Sequence, residues 1–467
     1  MHSILKIVTI TRYSQLAVAL VALAVAAGQM DGQVELPAPE SEPEEEVGTT
    51  PSSELTPGAP GQLRPDEGSP VAGGNPVTFP EFGIGRHFLL SGSLNAGYDD
   101  NVNLVPGGSP SWYVNPTANF RYQFGSARLA MDLLTGGGIN YYFDHPGGRD
   151  YDPIVYLQFS LADKVGPRLT IDLSTTLAYQ SQPEFGAELG ANRFLGNYFR
   201  TDDKLGAHYR LSPRWSSVTR YFLSAVEYEN SAASVHDRLQ HTFSEQLRYL
   251  WRPTTTLSGE YRVALNESQA AEGESTTQSL IVGAEESFSP RLRASLRSGV
   301  QFRLSGNNGQ RFSPYVESSL EYELGSQGTT RTKGTGATTT YIIWTGRYSI
   351  EESDLQNASG RQTFRTSLRL NYAITARISA SLALIYFHGD NKAGNQISNR
   401  SLVNSAGQNT LDITPSIRYA ITQRCSLTAG YRFTDVDRGP GSAALDPLQS
   451  VASYTRNRYY AGITLSF

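Results

Sequence analysis

From about residue 86 to the end of the chain, apolar and polar residues alternate with a period of two. Trp112, Val114, Pro116, Ala118, Phe120, Tyr122 and Phe124 share one face, and Tyr113, Asn115, Thr117, Asn119, Arg121 and Gln123 share the other. Phe312, Val316, Leu320, Tyr322 and Leu324 alternate likewise with Ser313, Glu317, Ser319, Glu321 and Glu323. Leu292, Leu296, Val300 and Phe302 alternate with Arg293, Arg297, Gln301 and Arg303. This period predicts strands with one apolar and one polar face. Strands of soluble sheets run to about five or six residues. Many of these runs reach about ten, the length a tilted strand needs to cross a bilayer.

The connections between runs are of two kinds. Short ones are Gly125-Ser126, Lys164 to Pro167, Ser212 to Arg214, Arg252-Pro253, Ser289 to Arg291, Thr375 to Arg377 and Thr422 to Arg424. Longer, more acidic ones run from Asp99 to Ser111, His145 to Arg149, Ser181 to Arg193, Glu229 to Asp237, Glu267 to Ser275, Ser305 to Gln310, Glu351 to Gly360, His388 to Asn409 and Thr434 to Ser453. Short turns on one side and long loops on the other are the periplasmic and extracellular ends of a membrane barrel. With the Gly- and Thr-rich run from Gly325 to Ala337 as one more inner connection, the sequence predicts an all-β, transmembrane, antiparallel up-and-down β-barrel of about eighteen strands. Sixteen follow if the pair around Tyr198 to Val226, where alternation is muddied, is miscounted. Trp112, Tyr141, Tyr142, Trp215, Trp251, Trp344 and Tyr454 fall near strand ends, as interfacial aromatic girdles require.

Composition agrees with that reading. Mean hydropathy is −0.35, with 26 Tyr and 44 Gly among 467 residues. Low hydropathy follows when polar lumen positions offset lipid-facing ones. The N-terminus carries Lys6 and Arg12, an apolar run from Leu16 to Ala27 and then small residues, which predicts a secretory signal peptide over 1–28. Between Asp31 and Glu81 lie eleven acids and one base, Arg64, amid Pro, Ser and Gly. Such a segment cannot bury enough apolar surface to fold, so 29–81 reads as a disordered periplasmic spacer and 82–467 as the barrel. The lone Cys425 rules out an intramolecular disulfide and reads as a small lipid-facing residue.

Two stretches carry a resemblance. Tyr459, Ala461, Ile463, Leu465 and Phe467 form an apolar face opposite Arg458, Tyr460, Gly462, Thr464 and Ser466, and this end resembles the closing strand of a bacterial outer-membrane barrel. The resemblance implies contact with the barrel-assembly machinery through the strand ending at Phe467. Leu94-Asn95-Ala96-Gly97-Tyr98-Asp99-Asp100-Asn101-Val102, followed by Val114-Asn115-Pro116, resembles the opening of the β-barrel porin 2 family. That resemblance implies an outer-membrane barrel of porin type, and it supplies no catalytic residues.

Assigning polar faces to the interior nominates Arg121, Arg128, Arg262, Arg293, Arg297, Arg303, Glu317, Glu321, Arg347, Arg365, Arg369, Arg418 and Arg432 as pore-lining. Rings of Arg select anions, whereas Arg paired with acids on neighbouring strands stiffens the wall. Glu317, Glu321 and Glu323 opposite Arg293, Arg297 and Arg303 predict such a ladder. The longest loops, His388 to Asn409 and Thr434 to Ser453, with Ser181 to Arg193 third, are candidates to constrict the lumen. Asp99, Asp100, Asn101 and Asn103 lack the spacing of a Ca²⁺ loop and read as a polar turn. His241 has Leu239 and Phe243 on its face while Ser244 points the other way, so no Ser–His pair forms; no enzyme, cofactor, metal or nucleic-acid function is expected. The expected function is an outer-membrane, porin-like channel for passive diffusion of small polar solutes, weakly anion-preferring. Alternatives are an export conduit for a polysaccharide or secreted product, and a non-conducting structural or adhesive barrel. The oligomeric state is left open.

Overall fold

The computed structural model describes residues 85–467 apart from residue 127 and segments 147–149, 182–195, 230–236, 269–273, 306–308, 326–339, 352–357, 394–404 and 440–452. The signal and spacer segments and the run from Gly325 to Ala337, save Gly325 itself, lie outside the described residues.

Eighteen antiparallel strands follow in order: β1 (Gly85–Asp99), β2 (Ser111–Gly125), β3 (Leu129–Tyr142), β4 (Tyr151–Asp163), β5 (Leu169–Gln180), β6 (Tyr198–Arg210), β7 (Trp215–Tyr228), β8 (Arg238–Arg252), β9 (Thr255–Ser268), β10 (Glu274–Ser289), β11 (Leu292–Ser305), β12 (Gly309–Gly325), β13 (Thr340–Glu351), β14 (Ala358–Ala373), β15 (Ile378–Ala393), β16 (Ser405–Ala420), β17 (Cys425–Arg438) and β18 (Tyr454–Ser466). Each pairs with its sequence neighbours, and β1 pairs with β18, so the sheet closes on itself. The expected eighteen strands are found, and the muddied pair around Tyr198 to Val226 is β6 and β7. Several loops are shorter than their sequence bounds, two of them markedly. β15 runs on to Ala393 and β16 begins at Ser405, while β17 runs on to Arg438. The apolar pattern ends earlier than the hydrogen-bonded ladder because outer strand ends have no oily partner to demand it.

The closing seam pairs Ser91 with Ser466 through Asp99 with Arg458. Phe467 extends it, donating from N to Leu90 O at 2.8 Å and accepting from Leu90 N at 3.1 Å. Inside the seam, directly opposed residues alternate in size: Gly430, Tyr460, Gly97, Tyr113. A Cβ at Gly97 would lie 2.6 Å from the Tyr113 hydroxyl, and one at Gly430 would overlap the Tyr460 ring. Glycine is required at both by close approach.

The two faces of the sheet differ as the pattern demands. Phe88, Leu94, Val155, Phe243, Leu280, Val282, Leu296, Phe312 and Phe467 are among the exposed apolar side chains of the outer face. Buried positions are largely polar: Asn95, Asp99, Asn115, Asn140, Asp152, Arg297, Arg303, Ser313 and Arg361. A soluble fold reverses this arrangement. An apolar outside and a closed ladder with no free edge define a membrane-spanning barrel. Cys425 lies on the outward face of β17, as expected.

All four tryptophans, Trp112, Trp215, Trp251 and Trp344, are exposed on the outer face. Lipids brominated on their acyl chains should therefore quench most of the protein's tryptophan fluorescence after reconstitution; emission indifferent to the brominated lipid contradicts this wall assignment.

Candidate functional site: the barrel interior

The interior is organised as clusters of charge and aromatic rings. Nearest the seam, Asp99 on β1 is fully buried and accepts two bonds from Arg456 Nε at 3.0 Å each. Arg458 donates to Asn140 Oδ1 at 2.9 Å, and its guanidinium lies 4.1 Å from the centre of the Tyr113 ring. The Tyr142 hydroxyl donates to Asp152 at 2.9 Å. A buried carboxylate is tolerated only when paired and hydrogen-bonded.

Loop Asp100–Pro110 turns into this quarter of the barrel. Val102 is fully buried against Tyr113, Tyr142 and Tyr460, and Leu104 packs on Val436 and Tyr454, all five being inward-facing. The backbone is held by side chains of the Asp-Asp-Asn stretch. Asp100 accepts from Asn457 N and Nδ2 at 2.7 Å each. Asn101 donates to Val105 O at 2.8 Å and Thr455 O at 2.9 Å, and accepts from Val105 N at 3.1 Å. These contacts impose a left-handed conformation on Leu104, φ 56°. For a residue other than glycine that strain costs of order 1–3 kcal/mol and persists only where the surroundings over-determine it. The side-chain oxygens of Asp99, Asp100 and Asn101 thus bond to Arg456, Asn457 and the loop's own backbone, and Asn103 donates from Nδ2 to Ser109 Oγ at 3.4 Å, as in a polar turn.

On the far side of the ring, Arg297 pairs with Glu317 at 2.9 Å and also with Glu260, which holds Arg262 at 2.8 Å. The Tyr315 hydroxyl donates to Glu317 at 2.6 Å. Glu351 pairs with Arg347 at 2.8 Å and Arg361 at 3.5 Å. The guanidinium of Arg361 lies 4.6 Å, and that of Arg365 5.7 Å, from the Phe387 ring centre. The predicted Arg–Glu ladder has two direct rungs, Arg297 with Glu317 and Arg293 with Glu321; the second is loose at 3.9 Å. Arg303, fully buried, stands opposite Arg311 and not an acid, because the register carries it past the last glutamate.

Of the remaining nominated residues, Arg121 bonds to Asp132 at 2.9 Å and Arg432 to Asp412 at 2.8 Å. Arg369 and Arg418 are half-buried at inward register positions. Arg128 is the correction. It lies in the turn between β2 and β3, exposed, where its carbonyl accepts from Lys164 N at 2.8 Å. A turn has no alternation, so extending the strand period through it misassigned the side chain. Arg361, Asp99 and the inserted pair Val102 and Leu104 were not nominated. Arg361 directly follows the segment from Glu351 to Gly360, whose loop composition hides the start of β14, and apolar loop residues carry no periodic signal. The middles of the three long loops expected to constrict lie outside the described residues. At the long-loop rim, hydrogen bonds from Asn197 and Tyr179 hold the Glu229 carboxyl below the ordinary glutamate range.

No protein-family model matches the sequence, and no curated protein matches it. Among solved structures, the chain is similar to the outer membrane protein OpdK from Pseudomonas aeruginosa, at 10% identity over 82% of this chain and 99% of that one, TM-score 0.42. It is similar also to the siderophore receptor PirA from Acinetobacter baumannii, at 10% identity over 82% and 81%, TM-score 0.40. A third is OccK2 (OpdF) from Pseudomonas aeruginosa in complex with glucuronate, at 9% identity over 82% and 98%, TM-score 0.40. Likeness this distant says nothing of family or cargo, and the resemblance to the β-barrel porin 2 family gains no support from it.

Replacing Val102 and Leu104 together by Ser should free the loop from its apolar seats. Single-channel conductance in planar bilayers is expected to rise while heat-modifiable migration of the folded barrel persists; unchanged conductance argues that the loop lies beside the path and not in it.

Proposed function

We propose that the protein is an outer-membrane channel for passive diffusion of small polar solutes, with weak preference for anions. The observation that carries the reading is a charge imbalance on one wall. From β11 to β14 the inward register positions hold Arg293, Arg297, Arg303, Arg311, Arg347, Arg361, Arg365 and Arg369 against Glu317, Glu321, Glu323 and Glu351. Pairing reduces the local field without removing its sign. In a water-filled passage with low-dielectric walls, that excess raises the local concentration of anions. Its effect is modest because ion pairs share the wall and salt screens what remains.

Purified protein in a planar bilayer should give discrete openings, with a reversal potential of anion-selective sign in a salt gradient. Arg293→Gln with Arg369→Gln should shift that potential toward cations without closing the channel. Cation selectivity of the unaltered protein ends the anion proposal; the absence of any openings ends the channel proposal and favours a structural barrel.

The segments upstream fit the same scheme as a signal peptide (1–28) and a periplasmic tether (29–81). Deleting residues 34–80 should leave insertion and conductance intact, as measured by heat-modifiable migration and bilayer recording; a chain that then fails to insert assigns the segment more than a tether's part.

A further inference from the structure

At mid-height the lipid-facing carboxylates among the described residues lie on two strands of one sector, β6 and β8, with Tyr221 of β7 between them. Glu245 is the middle residue of β8, Tyr221 lies at the middle of β7, and Asp203 is next to the middle of β6. Register places all three on the lipid side. Tyr221 pairs with Phe243, an exposed outer-wall residue, while Asp203 pairs with Leu223 and Leu223 with His241. Glu245 is exposed and accepts hydrogen bonds from Ser217 and Thr219 at 2.5 Å each. The Tyr221 hydroxyl lies 2.8 Å from His241 Nδ1, and Thr201 donates to Asp203 at 3.1 Å. Other outward acids among the described residues, such as Asp163, Glu227, Glu286 and Asp435, sit close to a strand end.

Two hydroxyl donors do not exhaust a carboxylate's acceptor capacity, and hydrocarbon supplies no water to complete it. Polar groups at this depth face protein or a wet cavity, not acyl chains. We propose that the β6–β8 face is the contact between two copies of this chain, related by a twofold axis along the membrane normal. Such an axis preserves depth, so the patch of one copy meets the same patch of the other. Asp203 and Glu245 supply acceptors. With Tyr221 donating to Nδ1, the His241 proton sits on Nε2, a donor for a carboxylate of the second copy. A ring of three sets this patch against a different part of the outer wall, which among the described residues offers no carboxylate or imidazole at that height. The complementarity therefore selects a dimer. The inference rests on the outer wall facing lipid.

Native mass spectrometry of the full-length protein in mild detergent should give twice the chain mass. In a Cys425→Ala background, Leu247→Cys on β8 should form a disulfide-linked dimer on mild oxidation of vesicle-embedded protein, whereas Leu296→Cys on β11 should not. Asp203→Leu combined with Glu245→Leu should yield monomers that keep heat-modifiable migration and conductance per barrel. Inserted monomers at every protein concentration, trimers, or equal linking from β11 overturn the dimer alone; a chain that never inserts overturns the membrane reading as well.

Discussion

Closure of the backbone ladder is the constraint on which everything else depends. In hydrocarbon an unpaired N–H or C=O costs several kcal/mol, at about the level of moving an amide into an apolar solvent. An open sheet would leave a row of such groups along each edge. The β1–β18 seam removes both edges, and Phe467 carries the pairing to the last residue of the chain. Closure demands that side chains of two adjoining strands interlock at a fixed height. The alternation of glycine and tyrosine from Gly430 to Tyr113 supplies that fit, and Asp99, two residues beyond Gly97 and bonded to Arg456, fixes the register beside it. A slip of β18 by one residue would carry Tyr460, Arg456 and Arg458 into lipid, where an arginine at the midplane costs about 2–4 kcal/mol.

The same constraint explains the chemistry inside. With most of the outer face given over to lipid, most polar side chains turn to the lumen. The arginines there are shared among acids and stacked on rings, as Arg458 is on Tyr113 and Arg361 on Phe387. Stacking suits the weakly hydrated guanidinium better than it would a lysine ammonium. These clusters stiffen the wall and set its charge at once, so one residue cannot be assigned wholly to structure or to selectivity.

Most of the barrel was legible because period-two alternation is a direct imprint of two solvents on one strand. The run from Trp112 to Phe124 shows it, and β2 occupies Ser111–Gly125. Alternation fails where only one solvent is present. Arg128 in a turn, the extension of β15 through Asp390 and the apolar loop pair Val102 and Leu104 all lie beyond the reach of the period. The muddied stretch from Tyr198 to Val226 fails for another reason: its strands are regular, yet their outer face carries Asp203, Ser217, Thr219 and Tyr221. There the departure from pattern marks a surface that acyl chains do not solvate well.

Loop and charged wall divide the ring between them. The inserted loop is seated on β2, β3, β17 and β18, whereas the arginine excess spans β11 to β14, across the ring from β2 to β5 in an eighteen-strand closure. An apolar obstruction on one side displaces water and any polar solute toward the other. On the proposed reading, a weak field then acts on a solute held near its source, within a Debye length of about 8 Å at physiological ionic strength. Selectivity in such a channel depends less on the number of arginines than on how far the loop narrows the distance between them and the permeating ion.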